Sequence, residues 1–159
     1  MNDLTLHENG WNVVHVPYPP KSQGRPRLAK HGRRLYDPSA KDKKVFSMLV
    51  KALKPNLLRQ GVEVYIRFQM PRPKYHHTKT GKKTKAWRYY HTKTPDIDNL
   101  LKFTLDACKG ILWEDDRQIC SMASEKIYND SGGIQIRYRS IADHYKDYVP
   151  KNYNKYKDK

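Results

Sequence analysis

From Val62 to Met70 apolar and polar positions alternate strictly, with Val62, Val64, Ile66, Phe68 and Met70 on one side and Glu63, Tyr65, Arg67 and Gln69 on the other. A period of two is that of a strand buried on one face, and this is the clearest strand in the chain. Val13 to Val16 predict a shorter first strand, stopped by Pro17, Pro19 and Pro20, which cannot donate to a sheet ladder. Elsewhere the spacing is helical. Phe46, Leu49, Val50 and Leu53 predict a helix from Ala40 to Lys54, opened by a capping-box pattern of Ser39 and Asp42 and closed by Pro55. A second helix is expected from about Asp98 to Gly110, with the glycine as its carboxyl-terminal cap. Its apolar stripe is Leu101, Leu105, Cys108 and Leu112, thickened by Leu100, Thr104, Ala107 and Ile111, so Asp98, Lys102 and Asp106 share the opposite side at four-residue steps. Two further strands, approximately Gln118 to Tyr128 and Ile134 to Arg139, are separated by Asn129, Asp130, Ser131, Gly132 and Gly133, which read as a hairpin turn.

Length and charge narrow the function. The 159 residues suit one domain, here residues 1–143, with a Tyr- and Lys-rich tail at 144–159 that has too few aliphatic residues to pack. No internal repeat or low-complexity tract interrupts it. A formal net charge of +16 far exceeds what solubility needs and attracts polyanions, nucleic acid first among them. No stretch approaches the roughly 20 apolar residues of a membrane span, and the basic segments lack an opposing apolar face, so no membrane partner is expected. Met1 to Asn12 contain Asp3, His7 and Glu8 and no apolar run, which excludes a secretory signal and implies a cytoplasmic protein. Cys108 and Cys120 lie in apolar-patterned segments without a nearby His at ligand spacing; both are expected to be reduced packing residues, buried or half-buried.

The positive charge is concentrated. A first basic loop carries Lys21, Arg25, Arg27, Arg33 and Arg34. A second segment, an insertion at about 71–94, carries Lys74, Lys79, Lys82, Lys83, Lys85 and Arg88 among eight Lys or Arg, with no Asp or Glu. Such acid-free runs favour phosphate contacts over ordinary solvated charge, and the second is not expected to bury itself. Trp87, Tyr89 and Tyr90 have two readings, stacking on unpaired bases or the apolar side of a strand or dimer contact. His76, His77 and His91 sit in cationic surroundings that disfavour a bound cation, so they are expected on the surface or facing DNA.

Against this background acids gather twice, in Pro95-Asp96-Ile97-Asp98-Asn99-Leu100 and in Trp113-Glu114-Asp115-Asp116. Pro95 fixes an extended approach in which Asp96 and Asp98 project to the same side, and Asp98 suits the cap of the helix that follows. Lys102 lies one turn on. Asp115 and Asp116 come where the chain turns back, and a return past the amino end of the helix would bring them to Asp96 and Asp98. Carboxylates without thiolates suit a hard cation, Mg²⁺ or Mn²⁺, acting on phosphates. The same acids also serve as caps and turns in many proteins. The residues alone balance metal-dependent phosphodiester chemistry evenly against a non-catalytic nucleic-acid-binding protein.

The run PDIDNLLKFTLDACKGILWEDDRQI at 95–119 resembles the signature of the RusA family of Holliday-junction resolvases, and SQGRPRL followed by YDP resembles that family's basic amino-terminal loop. The resemblance spans most of Val13 to Tyr138. It implies a small α+β fold with a mixed sheet packed with helices, a homodimer, and Mg²⁺-dependent cutting of four-way DNA junctions by paired nicks in recombination or repair, with Mn²⁺ able to substitute. Carried over, the metal carboxylates are Asp96, Asp98 and Asp116, supported by Asp115, and Lys102 is the catalytic lysine. Flaps, forks or RNA remain alternative substrates. By analogy the resemblance also implies a bacterial cell, with a phage or prophage origin open. Thr94 stands where the family often has a basic residue, and the tail lies outside the pattern.

Overall fold

The computed structural model describes residues 6–8, 10–29, 32 and 34–141. The expected tail at 144–159 and Arg33 lie outside the described residues. In chain order the elements are β1 (Leu6–Glu8), β2 (Trp11–Val16), β3 (Arg27–Leu28), β4 (Leu35–Tyr36), α1 (Ala40–Ala52), β5 (Val62–Pro71), α2 (Ile97–Cys108), β6 (Ile119–Asn129) and β7 (Gly133–Ser140). Five strands form one mixed sheet in the order β1-β2-β7-β5-β6, and β3 pairs with β4 apart from it. The fold is α+β, with both helices packed on the sheet.

The alternation in β5 decides which face is covered. Val64, Ile66 and Phe68, with Val14, Val16, Ile134, Ile136 and Tyr138 from neighbouring strands, meet Phe46 and Val50 of α1 and Leu100, Phe103 and Ala107 of α2. Phe46 and Phe103 pack edge to face at 5.9 Å, and Ser47 Oγ donates to Ala107 O at 2.6 Å. On the other face the polar set of β5 is paired sideways. Arg139 holds Glu63 at 2.8 Å, and Arg67 holds Glu125. The buried stripe of α2 is Leu100, Phe103, Thr104, Ala107 and Cys108, while Leu101 and Leu105 are only half-buried. The expected stripe was therefore centred one residue too far round, and it omitted Phe103.

Three further expectations are corrected. First, β6 and β7 are not a hairpin. Pro71 pairs with Asn129 of β6 in parallel, and Gln69 with Gly133 of β7 antiparallel, so β5 is slotted between them. The Asn129–Gly133 turn crosses the end of β5, and Gly132 (φ 69°) passes over Gln69 O and Pro71. Second, Ser39 makes no side-chain cap on α1; its Oγ accepts from Gly24 N at 2.7 Å, while Asp42 is taken by Lys21 and Tyr18. Third, Cys108 is buried as expected, but Cys120 is exposed. Helix α1 ends at Ala52 because Lys54 precedes a proline, which disfavours the helical region, and Lys54 adopts φ 49°.

The insertion at 71–94 is also more anchored than its composition suggests. Arg72, with its side chain 9% exposed, donates to Tyr128 O, Arg88 O and Asp130, and stacks over Trp87 at 4.9 Å. His76 is buried, edge-on to Tyr128 at 4.7 Å, rather than on the surface or facing DNA. Tyr128 N donates to Tyr89 O and His91 N to Lys126 O, so Tyr89 to His91 run along the edge of β6. Burial lowers the pKa of both His76 and His91, with Arg72 and Lys126 respectively adding repulsion.

Candidate active site and nucleic-acid surface

Helix α2 carries the acidic residues on its exposed side and at its amino end. Lys126 Nζ donates to the carbonyls of Lys93 and Pro95, at 2.5 and 2.6 Å, and so fixes the approach to the helix. Asp96 is the N-cap residue, but its side chain makes no cap hydrogen bond; Asp98 lies in the first turn and is not the cap. Both are exposed, as is Lys102 one turn later. Neither carboxylate has a hydrogen-bond or ion-pair partner among the described residues. The positive end of a helix favours anionic groups, and two unengaged carboxylates there are open to a cation.

The basic loop runs past the same helix end. Gln23 N donates to Asn99 O at 2.9 Å, and Gly24 packs so tightly on Pro38 that a Cβ there would lie 2.5 Å from its Cγ. Only a glycine lets the loop approach this closely. Arg25, Arg27 and Arg34 leave this anchor exposed; Arg27 belongs to β3, and the β3–β4 ribbon also exposes Leu28, Leu35 and Tyr36. Lys21 is partly committed, at 2.7 Å from Asp42.

Asp106, third in the exposed row of α2, is held by Lys43 at 2.6 Å, and the same ammonium holds Asp37 at 2.9 Å. That row is thus divided: Asp98 and Lys102 have no ion-pair partner among the described residues, and Asp106 ties α2 to α1.

The second acidic group lies elsewhere. Asp115 Oδ2 is 2.7 Å from Lys109 Nζ, and Asp115 also opens a 3-10 turn, Asp116–Gln118, through a reciprocal capping box with Gln118. Gln118 in turn donates to Gln60 O at 3.0 Å, clipping the turn beneath β5. Asp116 is half-buried and accepts from the indole of Trp113 at 2.8 Å. Burial and the charge of Asp116 push the Cys108 thiol well up. These contacts put Asp115 and Asp116 beyond the carboxyl end of α2, whose 12 residues span roughly 18 Å. The expected return past its amino end does not occur, and among the described residues no three of the His, Cys, Asp and Glu side chains are grouped to hold a metal. Asp96 and Asp98 by themselves offer two hard oxygen donors, and Mg²⁺ commonly takes one or two carboxylates together with water and substrate phosphate.

On the insertion, Lys74, Lys79, Lys82 and Lys85 have no carboxylate partner among the described residues, and Lys83 sits over the Trp87 ring at 3.8 Å. Arg88 spends its guanidinium on the carbonyls of Lys85 and Trp87. A recess of about 490 Å³ opens between Arg72, Pro73, Lys74, His77, Thr78, Lys79 and Asp130. Arg72 and Lys126 are the residues the sequence reading missed. They bind backbone carbonyls rather than ligands, and only the aromatic density around them hinted at a packed insertion.

A family model for endodeoxyribonuclease RusA matches residues 17–139. An uncharacterized protein of Bacillus subtilis (strain 168), YqaN, is 25% identical over 130 residues, which cover 77% of this chain and 92% of that protein.

Proposed function

The chain belongs to the RusA endodeoxyribonuclease family, and from that premise we propose that it is a Mg²⁺-dependent, structure-selective endonuclease that resolves four-way DNA junctions as a homodimer. The observation that carries this reading is the pair of exposed, unengaged carboxylates Asp96 and Asp98, one turn from Lys102, in a chain of net charge +16. In such a chain acids have cations at hand, and these two have none among the described residues. They would hold the metal; Asp116, beyond the other end of α2 in the same chain, would complete its ligands only from the second copy of the homodimer, with Asp115 orienting the turn that carries it. A bound Mg²⁺ supplies a lowered pKa for the attacking water and a counter-charge for the phosphate. Lys102 lies where its ammonium can meet charge developing on the phosphate oxygens. Arg25, Arg27 and Arg34 position the DNA backbone near this helix end, and Lys74, Lys79, Lys82, Lys83 and Lys85 hold a second stretch of it. A dimer matches two such sites to a nearly two-fold junction, because one site can only nick.

The separation of Asp116 from Asp96 and Asp98 favours a second reading, a DNA-binding protein without chemistry. A labelled four-way junction and a matched linear duplex, each incubated with Mg²⁺ or with EDTA, decide between them. Paired nicks in the junction alone, requiring Mg²⁺, are expected. Binding without cleavage under any divalent metal leaves the binding protein.

A further inference from the structure

The insertion at 71–94 holds four Tyr and Trp rings and no Asp or Glu, and the structure sorts those rings into two kinds. Trp87 is engaged: Arg72 lies over it at 4.9 Å and Lys83 at 3.8 Å. Tyr75, Tyr89 and Tyr90 are 55%, 44% and 60% exposed, yet the backbone beneath each is tied down. Thr84 Oγ1 donates to Tyr75 O at 2.8 Å, and Thr84 N donates to His76 O at 3.0 Å. Tyr89 O accepts from Tyr128 N, and Tyr90 pairs with Ile127 on the edge of β6. Buried His76 packs edge to face with both Tyr75 and Tyr128, at 4.9 and 4.7 Å. Exposed rings on a fixed backbone lose little freedom when a flat group stacks on them.

We propose that the insertion is a binding site for single-stranded DNA, in which Tyr75, Tyr89 and Tyr90 stack on bases and the surrounding lysines hold the phosphates. Stacking needs an open base face, which a duplex hides; for a duplex backbone the lysines alone would suffice. The segment is also poor in side chains that read base edges in a groove. It has no Asn or Gln, and both of its arginines, Arg72 and Arg88, donate to main-chain carbonyls. A cationic track with stacking rings and no edge readers holds single strands with little regard to sequence.

The track is joined to the acidic end of α2. Lys93 Nζ donates to Tyr75 Oη at 3.4 Å, and Lys126 holds the carbonyls of Lys93 and Pro95 just before Asp96. A base stacked on Tyr75 therefore leads its strand toward the amino end of that helix. On the nuclease reading above, on which this consequence rests, the preferred branch carries unpaired nucleotides next to the cut. A four-way junction with a splayed arm is then cut faster than a fully paired one.

Fluorescence anisotropy in EDTA tests the site without cleavage, using a labelled oligo(dT) of about 12 nucleotides and a duplex of equal length. Tyr75→Ala and Tyr90→Ala are each expected to weaken oligo(dT) binding by about 10-fold, the loss of one stacked base, and to change duplex binding by less than about twofold. Tyr75→Phe and Tyr90→Phe keep the ring and restore the affinity. Should alanine loosen the insertion, seen as a lower thermal midpoint, Tyr75→Leu keeps volume without a π face and is expected to show the same loss. A wild type that does not bind oligo(dT), alanine variants that bind it as tightly as the wild type, or variants that lose duplex binding in step overturn the site. With Mg²⁺ restored, a wild type that binds oligo(dT) but cuts no branched DNA overturns the nuclease reading and leaves this site standing. A paired junction cut as fast as a splayed one overturns the substrate preference.

Discussion

At the amino end of α2, Asp96 and Asp98 engage nothing among the described residues, whereas just beyond its carboxyl end three consecutive acids are all engaged. Glu114 meets Arg59 at 3.3 Å, Asp115 meets Lys109 and its own turn, and Asp116 takes the Trp113 indole. Asp37, Asp42 and Asp106 are engaged likewise. The difference separates carboxylates that hold the fold from carboxylates left open to a ligand, although the residue type is the same. A paired acid contributes to stability and has a fixed geometry; an unpaired one contributes little to either and is available for chemistry. Asp116 belongs to both groups, because a single indole donor orients it and leaves its second oxygen without a partner among the described residues.

The strongest way to break this contrast is at Asp98. Asp98→Asn should reduce Mg²⁺-dependent junction cleavage by about 10³-fold, the cost of deleting one electrostatic group of a site. Its unfolding free energy should stay within about 0.5 kcal/mol of the wild type, as for other exposed positions; a clearly destabilised variant would mean that this acid also serves the fold. Lys43→Met attacks the engaged side. It strips Asp37 and Asp106 of one shared cation whose side chain is 15% exposed, and urea unfolding should show a loss of about 2 kcal/mol, below the range for a fully buried pair because both acids are partly solvated. Cleavage at saturating Mg²⁺ should persist. Gln118→Ala removes the clip to Gln60 and the capping box, for about 1 kcal/mol by thermal unfolding.

Acid titration gives the smallest effect. Partial burial raises the Asp37 pKa, but hydrogen bonds from Lys43 and the Ser39 N–H outweigh that and hold it at about 2, against an ordinary 3.8. A depressed carboxylate pKa contributes stability that is complete above pH 3.8 and lost as pH falls toward 2. Asp37→Asn should flatten the stability curve in that window, and no flattening would show that Asp37 is not held in solution as it is here.

Much of this was legible in the sequence. The period-two run of β5 and the two helices fall within a few residues of their expected limits, and Asp98 and Lys102 share an exposed side of α2 as the four-residue spacing requires. Local rules failed where the winning interaction was distant in the chain. Ser39 reads as a cap, yet its hydroxyl is taken by Gly24, 15 residues away. The Asn129–Gly133 glycines correctly mark a turn, but nothing in a turn says whether its arms pair with each other or with a third strand. Cys120 follows an apolar pattern because it lies on a strand, and it is exposed because that strand is the sheet's edge. The position of Asp116 depends on Trp113 being buried at the carboxyl end of α2, which spacing could not reveal.

The slotting of β5 between β6 and β7 also constrains how the chain acquires its shape. Pairs such as Val62 with Ser140 and Val64 with Tyr138 join residues more than 70 positions apart, and no short hairpin can seed the middle of the sheet. During synthesis, β5 leaves the ribosome well before either neighbour exists, and its alternating apolar stripe keeps a bare edge until β6 and then β7 follow. Refolding should therefore be slower than the chain length suggests, with a transition state that requires the closure of these long loops before the sheet repays them.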